Sequence, residues 1–188
     1  MGENKTNKKL LTKTLIASAL VLTTVGSGFH SSSNYNGINN VAKAAETTDG
    51  QLWKDVRDSL KEANIIDKSD NETVKVTYKI ENGGENTVSG TASLDSLSTN
   101  QNINAEITKI EIERKNPNYS NINTDEAWKK LTKSLKEKNL VKNGAKVSIY
   151  SKDPSDITIT GKVGDSNSNA INRIINPKDI THITVENN

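Results

Sequence analysis

The chain has 188 residues, with 25 Lys and Arg, 23 Asp and Glu, and a formal net charge of +2. It contains no cysteine, which excludes disulfide bonds and cysteine nucleophiles, so burial of apolar side chains must hold the fold together. A balance this close to neutral gives no support for a nucleic-acid-binding surface.

Residues 1–44 have the pattern of a secretory signal peptide. Four lysines precede an apolar run from Leu15 to Val25, and Ala42-Lys43-Ala44 is typical of a cleavage site. The run has about eleven residues, whereas a membrane-spanning helix needs about 20. We therefore expect a secreted, extracellular protein that does not insert into the membrane after cleavage. Removing five lysines and one glutamate leaves 20 basic and 22 acidic side chains.

The first element predicted after this segment is a helix over about Asp49–Asn64. Thr48 and Gln51 have the spacing of a capping box. Apolar residues follow at helical spacing, namely Leu52, Val56, Leu60 and Ala63. The segment recurs 75 residues later, since residues 52–66 correspond to 127–141. A copy of this length indicates that one structural unit was duplicated.

The second helix has Thr124 as its expected N-cap, and Asn139 and Asn143-Gly144 end it. After each helix the apolar period changes from 3.6 to 2, which predicts a β-hairpin followed by one more strand. In the first copy these segments are 74–80, a turn at Asn82-Gly83-Gly84, 87–90 and 107–112. In the second they are 147–149, a turn at Lys152–Ser155, 157–161 and 180–185. Gly90 and Gly161 are expected at a strand end or a bulge.

The resulting prediction is an α+β fold of two tandem repeats, residues 45–115 and 124–188, joined by a linker at 116–123. Each repeat has one helix packed on a three-stranded sheet. A repeat of about 65 residues buries little surface alone, so the two are expected to pack together. The repeats differ most in their loops, and function is expected to differ there: 81–86 against 152–156, and 94–102 against 164–174.

Few residues suggest catalysis or metal binding. His182 is the single histidine after residue 44 and alternates with Ile180 and Ile183, which favours an exposed strand residue over a catalytic base. Residues 165–169 imitate the start of a calcium loop, but Ala170 and Asn176 stand where that loop needs Gly and Glu. Asp67, Asp70 and Glu72 are typical of a turn. We expect no enzymatic activity, no cofactor and no metal.

Three further features could serve binding. Trp53 and Trp128 occupy matching helix positions, and duplication favours core packing over recognition. Lys129, Lys133 and Lys136 line one side of the second helix, where a solvated face is favoured over a site for an anionic partner. An exposed sheet edge could accept an extended segment of a partner, but the sequence does not show which edge is open.

The order of helix, hairpin with Asn82-Gly83-Gly84, polar loop and isoleucine-rich final strand resembles a known family. It is similar to the C-terminal β-grasp domain of staphylococcal superantigens and superantigen-like proteins. It is equally similar to the repeats of the extracellular adherence protein, also called the MHC class II analogue protein. In the first helix, Leu52, Arg57, Leu60 and Ile66 fit the toxin signature.

The resemblance implies two β-grasp-like repeats in a secreted, non-enzymatic virulence factor. Such a protein binds a host extracellular or immune protein in immune evasion or adhesion, and inhibition of a host protease is one form of this. The alternative is a structural or interaction module associated with the cell envelope, without a host target. No functional residue of the family carries over, so the sequence assigns no binding residues.

Overall fold

The computed structural model describes residues 46–67, 72–80, 83–97, 102–104, 106–115 and 119–187. These ranges contain two α-helices, α1 (Asp49–Glu62) and α2 (Thr124–Glu137), and a short 3₁₀ helix at Pro177–Asp179. The strands are β1 (Glu46–Thr48), β2 (Thr73–Lys79), β3 (Glu85–Thr91), β4 (Asn102–Asn104), β5 (Ile107–Glu113), β6 (Ile122–Asn123), β7 (Lys146–Ser151), β8 (Ile159–Lys162), β9 (Ile174–Ile175) and β10 (Ile180–Glu186). No described helix is long and apolar enough to cross a membrane. The expected signal peptide lies outside the described residues.

Six of the strands form one antiparallel sheet in the order β3-β2-β5-β10-β7-β8. The α+β class is thus confirmed, but the three-stranded sets of the two repeats are joined into a single sheet. They meet where β5 pairs with β10 and Ile110 lies opposite Ile183. These two residues occupy equivalent positions in the repeats, so an approximate two-fold axis passes between them. The pairing removes two exposed strand edges, and no short-range pattern in the sequence encodes it.

Both helices pack on the same face of this sheet. Trp53 Nε1 donates to the carbonyl oxygen of Val74 at 2.9 Å, and Trp128 Nε1 donates to that of Val147 at 3.2 Å. The helices also contact each other, with the hydroxyls of Ser59 and Ser134 hydrogen-bonded at 2.9 Å. One continuous core therefore lies between the helices and the sheet, and both tryptophans are buried in it, as predicted.

The two helix caps occupy equivalent positions of the repeat, 75 residues apart, but only the first is the predicted residue. Thr48 caps α1 as predicted, because its hydroxyl accepts from Gln51 N at 3.1 Å. In α2 the cap is Asn123 and not the expected Thr124, since the Asn123 side chain accepts from Glu126 N at 2.9 Å. The Thr124 hydroxyl donates instead to the carbonyl oxygen of Ala170 at 2.5 Å. The helix start is thereby tied to the loop before β9.

Gly90 and Gly161 are each the second-last residue of a strand, so the predicted strand ends are correct to within one residue, and neither glycine forms a bulge. Each faces a tryptophan ring, and a Cβ atom at these positions would lie 2.8 Å from Trp53 Cζ2 and 2.7 Å from Trp128 Cζ2. Glycine is therefore required by close packing. Ile157, predicted to be in a strand, precedes β8.

Two short ribbons that the sequence did not predict flank the sheet. β1 pairs with β4, and β6 pairs with β9. In the second ribbon Ile122 lies opposite Ile175, which places the end of the expected linker 116–123 in a strand. Asn176 Nδ2 donates to the carbonyl oxygen of Tyr119 at 3.2 Å and to Asn121 Oδ1 at 3.0 Å. The described part of this connection is therefore held against the second repeat.

Candidate functional site

His182 lies on the sheet face opposite the helices and is partly buried, not exposed as predicted. Its ring stacks on Tyr150 of the neighbouring strand, with centroids 4.4 Å apart and planes 6° from parallel. The Thr181 hydroxyl hydrogen-bonds to His182 Nδ1 at 2.9 Å. Register on the other side places Glu111 opposite the histidine. The imidazole is thus one half of an aromatic pair on an otherwise polar surface.

This environment predicts a pH dependence of stability. Burial, followed by the neighbouring Lys109, lowers the pKa of His182 below its ordinary value of 6.5, although Glu111 opposes the shift. The unfolded chain therefore binds more protons just below pH 6.5, and stability should fall as the pH falls from 6.5 through the folded pKa. Urea unfolding of wild type and His182→Gln, measured between about pH 7.5 and about pH 5, should show this component in wild type alone. Identical pH profiles would contradict the prediction.

The residues that imitate a calcium loop make hydrogen bonds within the protein. Ser168 donates from its main-chain N at 2.8 Å and from its hydroxyl at 3.0 Å to Asp125 Oδ1. Asn169 binds the main chain of β8. Of the acidic group in the first repeat, Asp70 lies outside the described residues and Glu72 is buried against Arg114 and Tyr119. Within the described residues, no three His, Cys, Asp or Glu side chains come together to hold a metal ion.

The lysines of α2 are engaged in local pairs. Lys129 Nζ lies 2.7 Å from Asp125 Oδ2 within the same helix. Lys136 Nζ donates to Asn143 Oδ1 at 3.0 Å, and Lys133 lies 3.9 Å from Glu137 Oε1. Lys129 and Lys133 thus each have an acidic neighbour in the same helix, whereas the partner of Lys136 is a neutral amide.

A concave surface lies between the two loops in which the second repeat differs from the first. We call it the loop cleft and define it by residues 155–157 and 172–175. It has a volume of about 310 Å³ and is lined by Thr124, Ser155, Asp156, Ile157, Asn172, Arg173, Ile174 and Ile175. The structure thus brings together parts of the two segments, 152–156 and 164–174, that the repeat comparison marked as divergent.

Hydrogen bonds fix the two walls of the loop cleft. On one wall, Ser151 Oγ donates to Asp156 Oδ2 at 2.6 Å, and Asp153 Oδ1 accepts from Ser155 N at 2.9 Å. On the other wall, Thr124 N donates to the carbonyl oxygen of Arg173 at 3.1 Å. Asn172 takes up a positive φ of 59°, a conformation in which Asn is enriched among non-glycine residues. The shape is therefore determined by the chain itself.

Two isoleucines at the loop cleft are exposed to solvent. Ile174 is 66% exposed and Ile171 is 51% exposed. Ile103 and Ile175 are equivalent in the two repeats, at an offset of 72. At the same offset Ile174 is equivalent to Asn102, and Ile171 is equivalent to Thr99. The first repeat therefore has polar residues at both positions, so the duplicated core does not require isoleucine there. This contrast is readable from the sequence, and it was the signal that could have identified these residues.

No curated protein matches this chain. Residues 48–185 match the family described as a domain of unknown function, DUF4888. The match runs from the N-cap of α1 into the last strand, so it includes both helices, all but the last residue of the six-stranded sheet, and the loop cleft. The chain therefore belongs to the DUF4888 family.

Proposed function

We propose that this chain is a secreted, non-enzymatic protein that binds a host extracellular or immune protein through the loop cleft. The observation that carries the proposal is the exposure of Ile174 and Ile171 at positions where the first repeat is polar. Aliphatic side chains exposed without a role in the core lose their contact with water when a partner covers them. Binding a protein gives these two residues a function.

The composition of the loop cleft suits a protein partner. Ile174 supplies an exposed apolar side chain in the lining, Ile171 directly precedes the lining residues in sequence, and Arg173 and Asp156 supply charged groups. Protein interfaces commonly combine an apolar core with a polar rim, and arginine is frequent among the residues that dominate binding energy. The hydrogen-bonded walls reduce the conformational entropy that association would otherwise cost.

The class of partner rests on resemblance. We propose that each repeat is β-grasp-like, with its helix packed across a hairpin and a final strand. Secreted staphylococcal proteins with such repeats act in immune evasion and adhesion. By this likeness we propose a host defence protein as the target, with a neutrophil protease as the first candidate.

Secretion is part of the proposal and has its own test. Cleavage after Ala44 would leave a product that begins at Ala45, a difference that N-terminal sequencing of protein from the culture medium detects. Recovery in the wall or membrane fraction would favour the alternative of an envelope-associated module.

Replacing Ile174 by Asn, the residue of the first repeat, is expected to weaken host-protein binding at least about tenfold, or about 1.4 kcal/mol. Purified residues 45–188 would be titrated against neutrophil proteases, complement components and plasma proteins by surface plasmon resonance. Leu94→Asn is the matched control, since Leu94 is 44% exposed in a loop of the first repeat. It should bind like wild type.

Both substitutions lie on the surface, so the two variants should unfold at the same temperature as wild type. The proposal fails if wild type shows no saturable binding to any of these proteins. It fails equally if Ile174→Asn and Leu94→Asn bind alike.

A further inference from the structure

The six-stranded sheet has two edge strands, β3 and β8, and they differ in accessibility. Along the outer edge of β8, Asn169 behaves like a residue of an additional strand. Its Oδ1 accepts from Thr160 N at 2.8 Å, and its main-chain N donates to the carbonyl oxygen of Thr160 at 2.9 Å. Its Nδ2 donates to the carbonyl oxygen of Thr158 at 3.0 Å. The β8 edge is therefore occupied by the chain itself.

The β3 edge is longer and more open. β3 runs for seven residues, Glu85–Thr91, and its outer edge pairs with no strand of the described chain. Residues of β3 alternate between pointing their main-chain N–H and C=O groups towards β2 and pointing them outwards. The hydrogen bond from Ile80 N to the carbonyl oxygen of Gly84 identifies which residues do which. The groups of residues 86, 88 and 90 point towards β2, and those of Thr87 and Ser89 point outwards. Both of these residues are exposed.

β3 also lacks the features that usually protect an edge strand. It contains no lysine and no proline, and its pairing with β2 runs without a bulge. Its one charged residue is Glu85, whose carboxylate accepts a hydrogen bond from the Thr108 hydroxyl at 2.7 Å. The carboxylate is therefore held by the molecule's own sheet. A bulge-free edge of this length with a single charged residue at its end is a site for strand addition.

We propose that the β3 edge pairs with the β3 edge of a second copy of this chain, antiparallel about a two-fold axis at Val88. In this register Thr87 of one copy lies opposite Ser89 of the other, and Glu85 lies opposite Thr91. All four residues direct their main-chain groups outwards. In the single copy Thr87 N donates to Asn86 Oδ1 at 2.8 Å, a local bond that pairing would exchange for one to the second copy. The two Glu85 residues lie at opposite ends of the junction, and no like charges face each other.

The molecule already contains a junction of this type. β5 and β10 pair antiparallel about the approximate two-fold axis at Ile110 and Ile183, with α1 and α2 on the same face of the sheet. A second junction at Val88 repeats this operation, because an axis perpendicular to the sheet keeps all four helices on one face. The product is a continuous twelve-stranded sheet. We favour a second copy over an unrelated segment because the β3 edge is complementary to itself. Each copy supplies the hydrogen-bonding groups that the other copy needs.

The dimer would leave both loop clefts free. They belong to the second repeat, whereas β3 belongs to the first repeat at the other end of the strand order. Two clefts on one particle would allow bivalent binding to a multimeric or surface-attached partner. The junction itself does not depend on the proposed function, because it involves no residue of the loop cleft.

Sedimentation equilibrium of purified residues 45–188 tests the dimer. The range from about 1 μM to about 1 mM suits an interface of small size. We expect a dimer fraction that rises with concentration. Ser89→Pro removes an outward-facing N–H that β2 does not use, and should lower the association constant at least about tenfold. Ser89→Ala keeps that N–H and should associate within about twofold of wild type.

Cysteine pairing tests the register, and the absence of native cysteine makes the result direct. A mixture of Thr87→Cys and Ser89→Cys proteins should form the mixed disulfide faster than either variant forms its own dimer.

Circular dichroism must show that Ser89→Pro and Ser89→Ala are both folded. A monomer at every concentration, or unchanged association of a folded Ser89→Pro, would overturn the proposal. A monomer whose capture of a host protein depends on Ser89 would overturn it too, and would assign the edge to a host segment.

Discussion

Replacing Arg114 by Ala is expected to lower the free energy of unfolding by about 3–5 kcal/mol, because it removes the guanidinium that pairs with the buried Glu72 carboxylate. Glu72 is 1% exposed and forms an ion pair with Arg114, whose side chain is 9% exposed. The guanidinium also lies 4.8 Å from the ring centroid of Tyr119. Removing one partner of a buried pair costs more than the pair contributes, since the remaining charge is desolvated.

Arg114 further connects elements that are distant in sequence. Its Nη2 donates to the carbonyl oxygen of Ile65 after α1, at 2.9 Å, and its Nε donates to that of Ile180 at the start of β10, at 3.3 Å. Alanine would leave both carbonyl groups without this donor. The effect should therefore reach both repeats and appear as a loss of global stability.

Urea unfolding at pH 7 would measure this loss, and Lys79→Ala provides the control. Lys79 pairs with Glu106 at 2.8 Å, but the two side chains are 50% and 27% exposed. Water screens such a pair, so the variant should lose less than about 1 kcal/mol. If Arg114→Ala and Lys79→Ala lowered the free energy of unfolding equally, the prediction would be wrong. Burial would then not make the Arg114–Glu72 pair more important for stability than an exposed pair.

The sequence predicted the elements of this fold better than their assembly. Local signals were sufficient for the α1 cap at Thr48 and for the alternation in β2. Joining β5 to β10 depends on two amphipathic strands about 70 residues apart, and their patterns are equally compatible with separate sheets. Glu72 was placed in a turn for the same reason, because its partner Arg114 lies 42 residues further along the chain. The second repeat has Ala145 at the equivalent position, so the duplication gave no signal for an ion pair.

The region of the candidate site was predictable, and the repeat contrast at Ile171 and Ile174 was readable, but the exposure of individual side chains was not. Comparing the repeats marked residues 152–156 and 164–174 as divergent, and the loop cleft forms between parts of these segments. The sequence alone could not show that Ile175 is buried while its neighbour Ile174 is exposed, because this depends on the pairing of β9 with β6. A two-residue ribbon has too few residues for its period to be read.

Replacing either strand glycine by alanine is expected to destabilise the protein by about 1–3 kcal/mol, the usual cost of overpacking. The added methyl of Gly161→Ala would lie 2.7 Å from Trp128 Cζ2, and that of Gly90→Ala would lie 2.8 Å from Trp53 Cζ2. Neither ring can move away easily, since each indole N–H is bonded to a strand carbonyl. Gly84→Ala is the control, because its nearest neighbour is the partly exposed Ile80 side chain, and it should change stability by less than about 0.5 kcal/mol.

A double-mutant cycle attributes this cost to the tryptophan. Phe at position 128 has no fused second ring and so no atom equivalent to Cζ2 of indole. Gly161→Ala should therefore lower the free energy of unfolding less in Trp128→Phe than in wild type. A coupling energy of about 0.5–3 kcal/mol is typical of residues in contact. Additive losses would mean that the glycine is needed for another reason, such as the backbone conformation of β8. Strong coupling in both repeats would show that the duplication preserved a glycine–tryptophan pair as one packing unit, which explains why both residues recur at nearly the same offset.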